Sequence, residues 1–263
     1  MTAFWASRQG RLLSVLIVVI ALLLLWEGAI HAFDIKPFLL PSPIAVVAEL
    51  ADSPGWYAAH AGQTLLQTFL GFALAVALGI VMAVGIVYSR WIEQSLYTIL
   101  VGLNSIPKVA VAPLFIVWLG TGLEPKVAIA FLIAVFPIVI DTVLGLRSVD
   151  PDLLDLARSL RGSRFQVLRM VRFPNALPSL FAGMKVGISF AFIGAIVGEF
   201  VASSSGLGYV ILSSQATFDT TRMFAAIFLL AVIGTILFYM VELAEKAFIP
   251  WHVSRRKEGL VQP

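Results

Sequence analysis

The sequence predicts an all-α, polytopic membrane protein of six transmembrane helices. Three observations predict it: an apolar share too large for a soluble core, six apolar runs of spanning length, and basic residues gathered on alternate sides of those runs. Of the 263 residues, 60% are apolar and only 13% are charged. A soluble domain of this size has no interior large enough to hide that surface, whereas a bilayer accepts it directly. There is no cysteine, which excludes disulfides, zinc sites and thiol catalysis. The formal charge of +3 says less than its distribution. Basic residues flank apolar runs and form no single soluble patch, which argues against nucleic-acid binding.

A helix needs about 20 mostly apolar residues to cross the roughly 30 Å hydrocarbon layer. The candidate spans are 12–30, 63–88, 92–119, 126–146, 177–199 and 223–245. The first has the basic flank of a cleavable signal, but Trp26 and Glu27 stand where a cleavage region is small and neutral. It is therefore read as a span. Sidedness follows from the basic residues. With a cytoplasmic N-terminus, the inner segments hold Arg8, Arg11, Arg90, Arg147, Arg158, Arg161, Arg164, Arg169, Arg172, Lys246, Arg255, Arg256 and Lys257. The outer segments hold only Lys36, Lys126 and Arg222. Thirteen against three puts both termini inside. The expected division is a cytoplasmic N-terminus 1–11, a first span 12–30, an outer segment 31–60, a five-helix core 61–246 and a cytoplasmic tail 247–263.

The outer segment carries Pro37, Pro41, Pro43 and Pro54. Ile44, Val47, Ala48 and Ala51 predict a short amphipathic helix there, with Glu49 and Asp52 facing water. Spans two and five bear stripes of small residues four apart: Gly71, Ala75, Gly79 and Ala83, then Gly183, Gly187, Ala191 and Ala195. Such stripes let helix backbones approach closely in lipid. Packing within the subunit is the expectation, with a seam between two copies as the alternative.

The long inner loop, 147–176, is the most informative segment. Asp150, Pro151 and Asp152 form an N-cap, a first-turn proline and a first-turn acid. Leu153, Leu154, Ala157 and Leu160 follow at helical spacing, with Arg158 and Arg161 among them. Gly162 breaks that helix, and Ser163 with Gln166 opens a second by a capping box. Phe165, Leu168 and Val171 are its apolar positions, and Pro174 and Pro178 are expected to end it. Two short amphipathic helices at an angle suit either a partner protein or anionic lipid headgroups.

The loop resembles the "EAA" loop of permease subunits of binding-protein-dependent ABC importers. That pattern is Glu-Ala-Ala, three residues, Gly, nine residues, Ile-x-Leu-Pro. Here Asp155-Leu156-Ala157 is followed three residues later by Arg161, and after nine more by Val171-Arg172-Phe173-Pro174. Arg161 replaces the family's glycine, and Gly162, one place on, is expected to supply the bend. Ile106-Pro107-Lys108-Val109-Ala110, Ala112-Pro113-Leu114, Trp118-Leu119-Gly120, Phe136-Pro137, Ala182-Gly183-Met184-Lys185 and Gly198-Glu199-Phe200 look like the subgroup serving nitrate, sulfonate and taurine, with a pyrimidine vitamin precursor, a flavin or an aromatic acid as the alternative solute. This likeness covers roughly 60–246.

The resemblance implies a type I importer fold in a bacterial inner membrane. It implies a second permease copy, two cytoplasmic ATPase subunits that hold ATP and Mg, and a periplasmic or lipid-anchored substrate-binding protein. The first loop helix, Asp150 to Arg161, would be the coupling helix. Asp150, Leu153, Leu154, Asp155, Leu156, Ala157, Leu160, Arg161, Gly162, Ser163 and Pro174 are the expected ATPase-coupling residues. No Gly-x-x-x-x-Gly-Lys-Ser/Thr phosphate loop occurs, so ATP hydrolysis is expected on a partner chain, and no catalytic, cofactor or metal site on this one.

Ionisable groups at membrane depth are functional candidates by default. Lys108 stands between Pro107 and Pro113, which interrupt helical bonding and free backbone groups. A substrate contact competes there with snorkelling, or with pairing to Asp141 or Glu199. Asn104, Ser105, Lys108, Asp141 and Glu199 form the expected translocation path. The outer loop Ser203 to Gly208 is read as a surface turn or a contact for the binding protein, and His31, His60 and His252 as interfacial. An ion-coupled transporter would need paired ionisable residues at mid-membrane and commonly a repeat, which the sequence lacks. An intramembrane hydrolase would need a nucleophile with a histidine, or two aspartates, inside the spans.

Overall fold

A computed structural model describes residues 8–97, 99, 102 and 106–250, all helices and connections. The long helices are α1 (Arg8–Ala32), α3 (Pro54–Tyr88), α6 (Glu124–Arg147), α9 (Phe173–Val201) and α11 (Thr220–Phe248). The short ones are α2 (Pro43–Asp52), α4 (Arg90–Ile92), α5 (Lys108–Leu119), α7 (Pro151–Ser159), α8 (Arg164–Val167) and α10 (Leu207–Ala216). Among the described residues four helices are long and apolar enough to cross a membrane: α3, α6, the continuous run Arg164–Val201, and α11. Ile17–Ala32 within α1 and Lys108–Leu119 are apolar but shorter.

The centre of the bundle is α6, packed between α3 and α9. Both small-residue stripes face it. A β-carbon at Gly71 would stand 3.0 Å from the Phe131 nitrogen, and one at Gly187 2.8 Å from the Ile138 Cδ1. The stripes are packing surfaces within this chain. They let α3 and α9 close on Ala130, Ala134, Ile138 and Val139, which are buried at the core. On the other side of α9, α11 closes against Phe181, Ile188 and Phe192 through Leu237 and Val241. Lys185 of α9 and Glu245 of α11 form an ion pair across that contact. By contrast α1 lies at the edge: Ile17 to Ile20 and Leu22 to Leu25 are exposed, and Trp26 meets Phe224 of α11.

Several elements differ from the sequence expectation. The third span, expected as one helix over 92–119, is interrupted. A π-helical turn at Glu93–Tyr97 follows α4, and α5 starts only after Pro107, at Lys108. Proline removes an N–H and disfavours helix at the residue before it, so Ile106 stays outside. The second span begins at Pro54, not at 63, so His60 lies inside α3.

Pro174 and Pro178 do not end the second loop helix. Instead α8 runs through a π-helical turn, Leu168–Arg172, into α9, and Phe173 donates to the Leu168 carbonyl. The wider turn accommodates the ring and the missing N–H of Pro174, so the helix continues through it into α9. In α2 the packed face is Val46 with Leu50, while Ile44 and Val47 are exposed. Glu49 does not face open water: it accepts from the Tyr57 hydroxyl and from Arg222 at 3.1 Å each. In the outer loop Ser203 to Gly206 form a bend, as expected of a turn, but Leu207 and Gly208 open the helix α10, with Leu207 and Val210 fully buried.

Candidate coupling surface and polar sites

The loop 147–176 folds as its caps dictate. The Asp150 carboxylate accepts from the Asp152 N–H at 2.9 Å, and Pro151 supplies the first helical turn of α7. Leu154 and Ala157 are half-buried. Leu153, Leu156 and Leu160 are 52%, 56% and 74% exposed. Their spacing of three and four makes one apolar ridge with no cover among the described residues. Asp155 and Arg158 pair with each other at 2.9 Å at its flank.

The end of α7 is a Schellman motif. The Gly162 N–H bonds to the Ala157 carbonyl at 3.0 Å, and the Arg161 N–H to the Arg158 carbonyl at 2.9 Å. That motif needs a left-handed residue between them. Arg161 takes it, with φ of 57°. The expectation that Gly162 supplies the bend is thereby corrected: Gly162 keeps an ordinary φ, and Arg161 holds the conformation that the family pattern gives to glycine. A side chain at such a position costs about 1 kcal/mol relative to glycine. Gly162 is needed for space, since a β-carbon there would stand 3.0 Å from the Ala157 oxygen.

Beyond the turn the Ser163 capping box is complete. The Ser163 N–H donates to Gln166 Oε1 at 2.8 Å, and the Gln166 N–H to Ser163 Oγ at 3.3 Å. The hairpin is tied to the helices above it. Arg172 donates to the Leu146 carbonyl at 2.8 Å, Asn175 to Ser148 Oγ at 2.9 Å, and the Tyr88 hydroxyl to the Arg164 carbonyl at 3.1 Å. Pro174 itself, at the start of α9, is half-buried above the elbow and contributes no ridge surface. Arg147 pairs with Glu93 at 2.7 Å.

The path residues are not gathered into one site. Asn104 and Ser105 lie outside the described residues, as does His252. The Lys108 ammonium stands 5.7 Å over the Phe136 ring. Asp141 is half-buried against α9, where a β-carbon at Gly183 would stand 3.2 Å from its Oδ2. Glu199 is at the other end of the molecule and is 1% exposed. It accepts from Thr64 Oγ1 at 2.8 Å and from the Gly208 N–H at 2.7 Å. The Leu207 N–H bonds to Thr64 Oγ1 at 2.9 Å and the Gly206 N–H to His60 Nδ1 at 3.0 Å. Three remote side chains thus cap the first turn of α10, which has no capping side chain of its own.

Sequence reasoning missed Thr64, His60 and Lys126 as members of this outer cluster. Lys126, expected in open outer water, is 6% exposed and donates to the Thr121 carbonyl at 3.3 Å. A signal did exist: His60, Thr64, Gln67 and Thr68 share one helical face of an otherwise apolar run. Among the described residues no group of three or more His, Cys, Asp or Glu is placed to hold a metal.

Comparison with known proteins assigns the fold. The family model described as "Binding-protein-dependent transport system inner membrane component" matches residues 75–249. The chain belongs to that family. It is an ABC importer permease, a membrane transport subunit and not an enzyme, as its relatives are. It is 38% identical over 240 residues, 90% of each chain, to the riboflavin transport system permease protein RibX of Chloroflexus aurantiacus. It is 31% identical to the formylaminopyrimidine transport permease protein ThiX of Halalkalibacterium halodurans, over 93% of this chain and 98% of that one. It is 32% identical to the aliphatic sulfonates transport permease protein SsuC of Bacillus subtilis, named there as putative, over 94% and 88%. A solved structure of the MetNI methionine ABC transporter in inward-facing conformations shares the permease fold. Its TM-score is 0.65 at 20% identity, covering 73% of this chain and 96% of that one.

Proposed function

We propose that this permease forms half of a solute path and receives its driving force through the exposed ridge of α7. One observation carries the reading: Leu153, Leu156 and Leu160 stand on one face, more than half exposed, on a capped helix whose hairpin is tied to α3 and α6 through its second arm. Apolar groups so placed gain by burial in a groove, about 1.5–3 kcal/mol for each leucine fully covered. The partner is a cytoplasmic ATPase subunit carrying ATP and Mg. Two permease copies and two ATPases assemble, both permease termini face the cytoplasm, and a substrate-binding protein docks on the outer face. Asp150, Asp155, Arg158 and Ser163 set the shape of the elbow, and Leu154 and Ala157 transmit its movement to the helices. Closure of the ATPases then rocks the α6-centred bundle as a rigid body.

Leu156→Asp tests this reading. We expect the variant to lose co-purification with the ATPase, and uptake into proteoliposomes to fall at least tenfold, while the permease itself still folds. Normal uptake with intact co-purification would overturn the reading.

For the solute, the sequence motifs favour a small anion of the nitrate, sulfonate or taurine type, entering past Lys108. A second reading has its own observation: the relative at 38% identity is a riboflavin permease and one at 31% a formylaminopyrimidine permease. Those names favour a flat nitrogen heterocycle, which the Phe136 ring beside Lys108 also suits. Mass spectrometry of what co-purifies with the substrate-binding protein separates the two. A sulfonate there supports the first reading and a heteroaromatic vitamin or precursor the second.

A further inference from the structure

The coupling elbow carries more than an apolar ridge. Its turn residue, Arg161, is exposed and adopts a left-handed backbone conformation that favours glycine, although a glycine stands at the very next position. The other loop arginines with polar contacts reach them within this chain: Arg147 to Glu93, Arg158 to Asp155, Arg172 to the Leu146 carbonyl. Arg161, like Arg164 and Arg169, makes no ion pair or side-chain hydrogen bond among the described residues, and of these three it alone is held in a left-handed turn. The loop 147–176 holds six arginines against three aspartates, and two of those aspartates are occupied, Asp150 at the α7 cap and Asp155 with Arg158. The elbow therefore presents uncompensated positive charge beside Leu160.

We infer that Arg161 is a charged contact of the coupling surface, pairing with a carboxylate at the rim of the ATPase groove that takes the leucine ridge. The inference rests on the coupling reading above and adds the chemistry of the partner. A guanidinium and a carboxylate form two parallel, charge-assisted bonds, which require a defined direction as well as a charge. The Schellman turn supplies that direction, because it fixes the Arg161 α-carbon with two backbone hydrogen bonds. Lipid phosphate would accept the same charge. A fluid headgroup layer, however, gains nothing from a fixed direction, and a relaxed glycine turn flanked by Arg158 and Arg164 would serve it equally well.

The test uses the full chain in nanodiscs and the ATPase subunit that co-purifies with it, with binding measured at low and high salt. Arg161→Gly should bind the ATPase about tenfold more weakly at low salt and show a shallower salt dependence, since one ion pair is gone. Its thermal midpoint should equal or exceed that of the parent, because the turn is relieved. Arg161→Lys should fall between the two. Wild-type affinity and salt dependence in Arg161→Gly would overturn the inference. So would a loss in Arg161→Gly that appears in nanodiscs of anionic lipid and vanishes in nanodiscs of zwitterionic lipid, which would assign the residue to the membrane surface. Leu156→Asp separates the two layers. If it also binds normally, the coupling reading fails; if it alone loses binding, only the role of Arg161 does.

Discussion

A carboxylate with 1% exposure persists only where its oxygens meet donors, and Glu199 meets the Thr64 hydroxyl and the Gly208 N–H. The glycine two places before Gly208 makes this possible. Gly206 has φ 101° and ψ 162°, a region essentially closed to other residues, and a β-carbon there would collide with the Glu199 carboxylate. Gly206→Ala should therefore lower the stability of the purified permease by about 1–3 kcal/mol from backbone strain alone. The readout is its thermal unfolding midpoint in detergent, and an unchanged midpoint would mean that α10 is not held by this cap. Arg161 is the opposite case, a left-handed residue that is not glycine and that a glycine would relax. Both positions stand next to groups that the residues alone do not advertise. The Asp150 and Ser163 caps were legible because each bonds within three residues of itself, whereas Glu199 and Thr64 are 135 positions apart.

At the scale of elements, the glycines of α3 and α9 divide into those that touch a neighbour and those that do not. Gly194 touches the backbone of Ala130, while Gly62 has open space around it. Gly194→Val should force α9 from α6 and reduce the yield of folded permease severely. Gly62→Ala should be neutral or stabilising by up to about 1 kcal/mol, since alanine is the better helix former. Yield and thermal midpoint, measured on both, check the pair; equal behaviour would mean that close α6–α9 approach does not hold the bundle together. The helices were legible where hydropathy runs unbroken, as in α6 and α11, or where a cap marks the start, as in α7. They were not where a backbone irregularity intervenes: the π-helical turn before Pro174 and the break before α5 answer to proline geometry, not to periodicity. The helix α10 hid because its buried face, Leu207, Gly208, Val210 and Ser214, is short and interleaved with small polar residues.

For the whole molecule, sidedness is the property from which everything about partners follows. The absence of cysteine makes it directly measurable. A single cysteine at Ser159, exposed at the end of α7, should react with a membrane-impermeant maleimide only from the cytoplasmic side. One at Asp52, exposed at the end of α2, should react only from the outside. Labelling with the opposite polarity would remove the ATPase-facing assignment of the ridge altogether. Large faces of α1 and α11 remain exposed, among them Leu22, Leu24, Ile236, Tyr239 and Leu243. In a bilayer these face acyl chains or a second permease, and neither requires polar surface.

The sequence by itself determined the solvent, the helical class and the capped elbow, because each depends on composition or on bonds a few residues long. Tertiary structure alone decided which face of each helix is internal, that both small-residue stripes close on α6, and that Arg161, not Gly162, turns the elbow. It alone placed Glu199 at the cap of α10. The physical reason is reach. Hydropathy and capping act locally along the chain, whereas a buried polar group can be stable only through partners that the fold brings to it from far away in sequence.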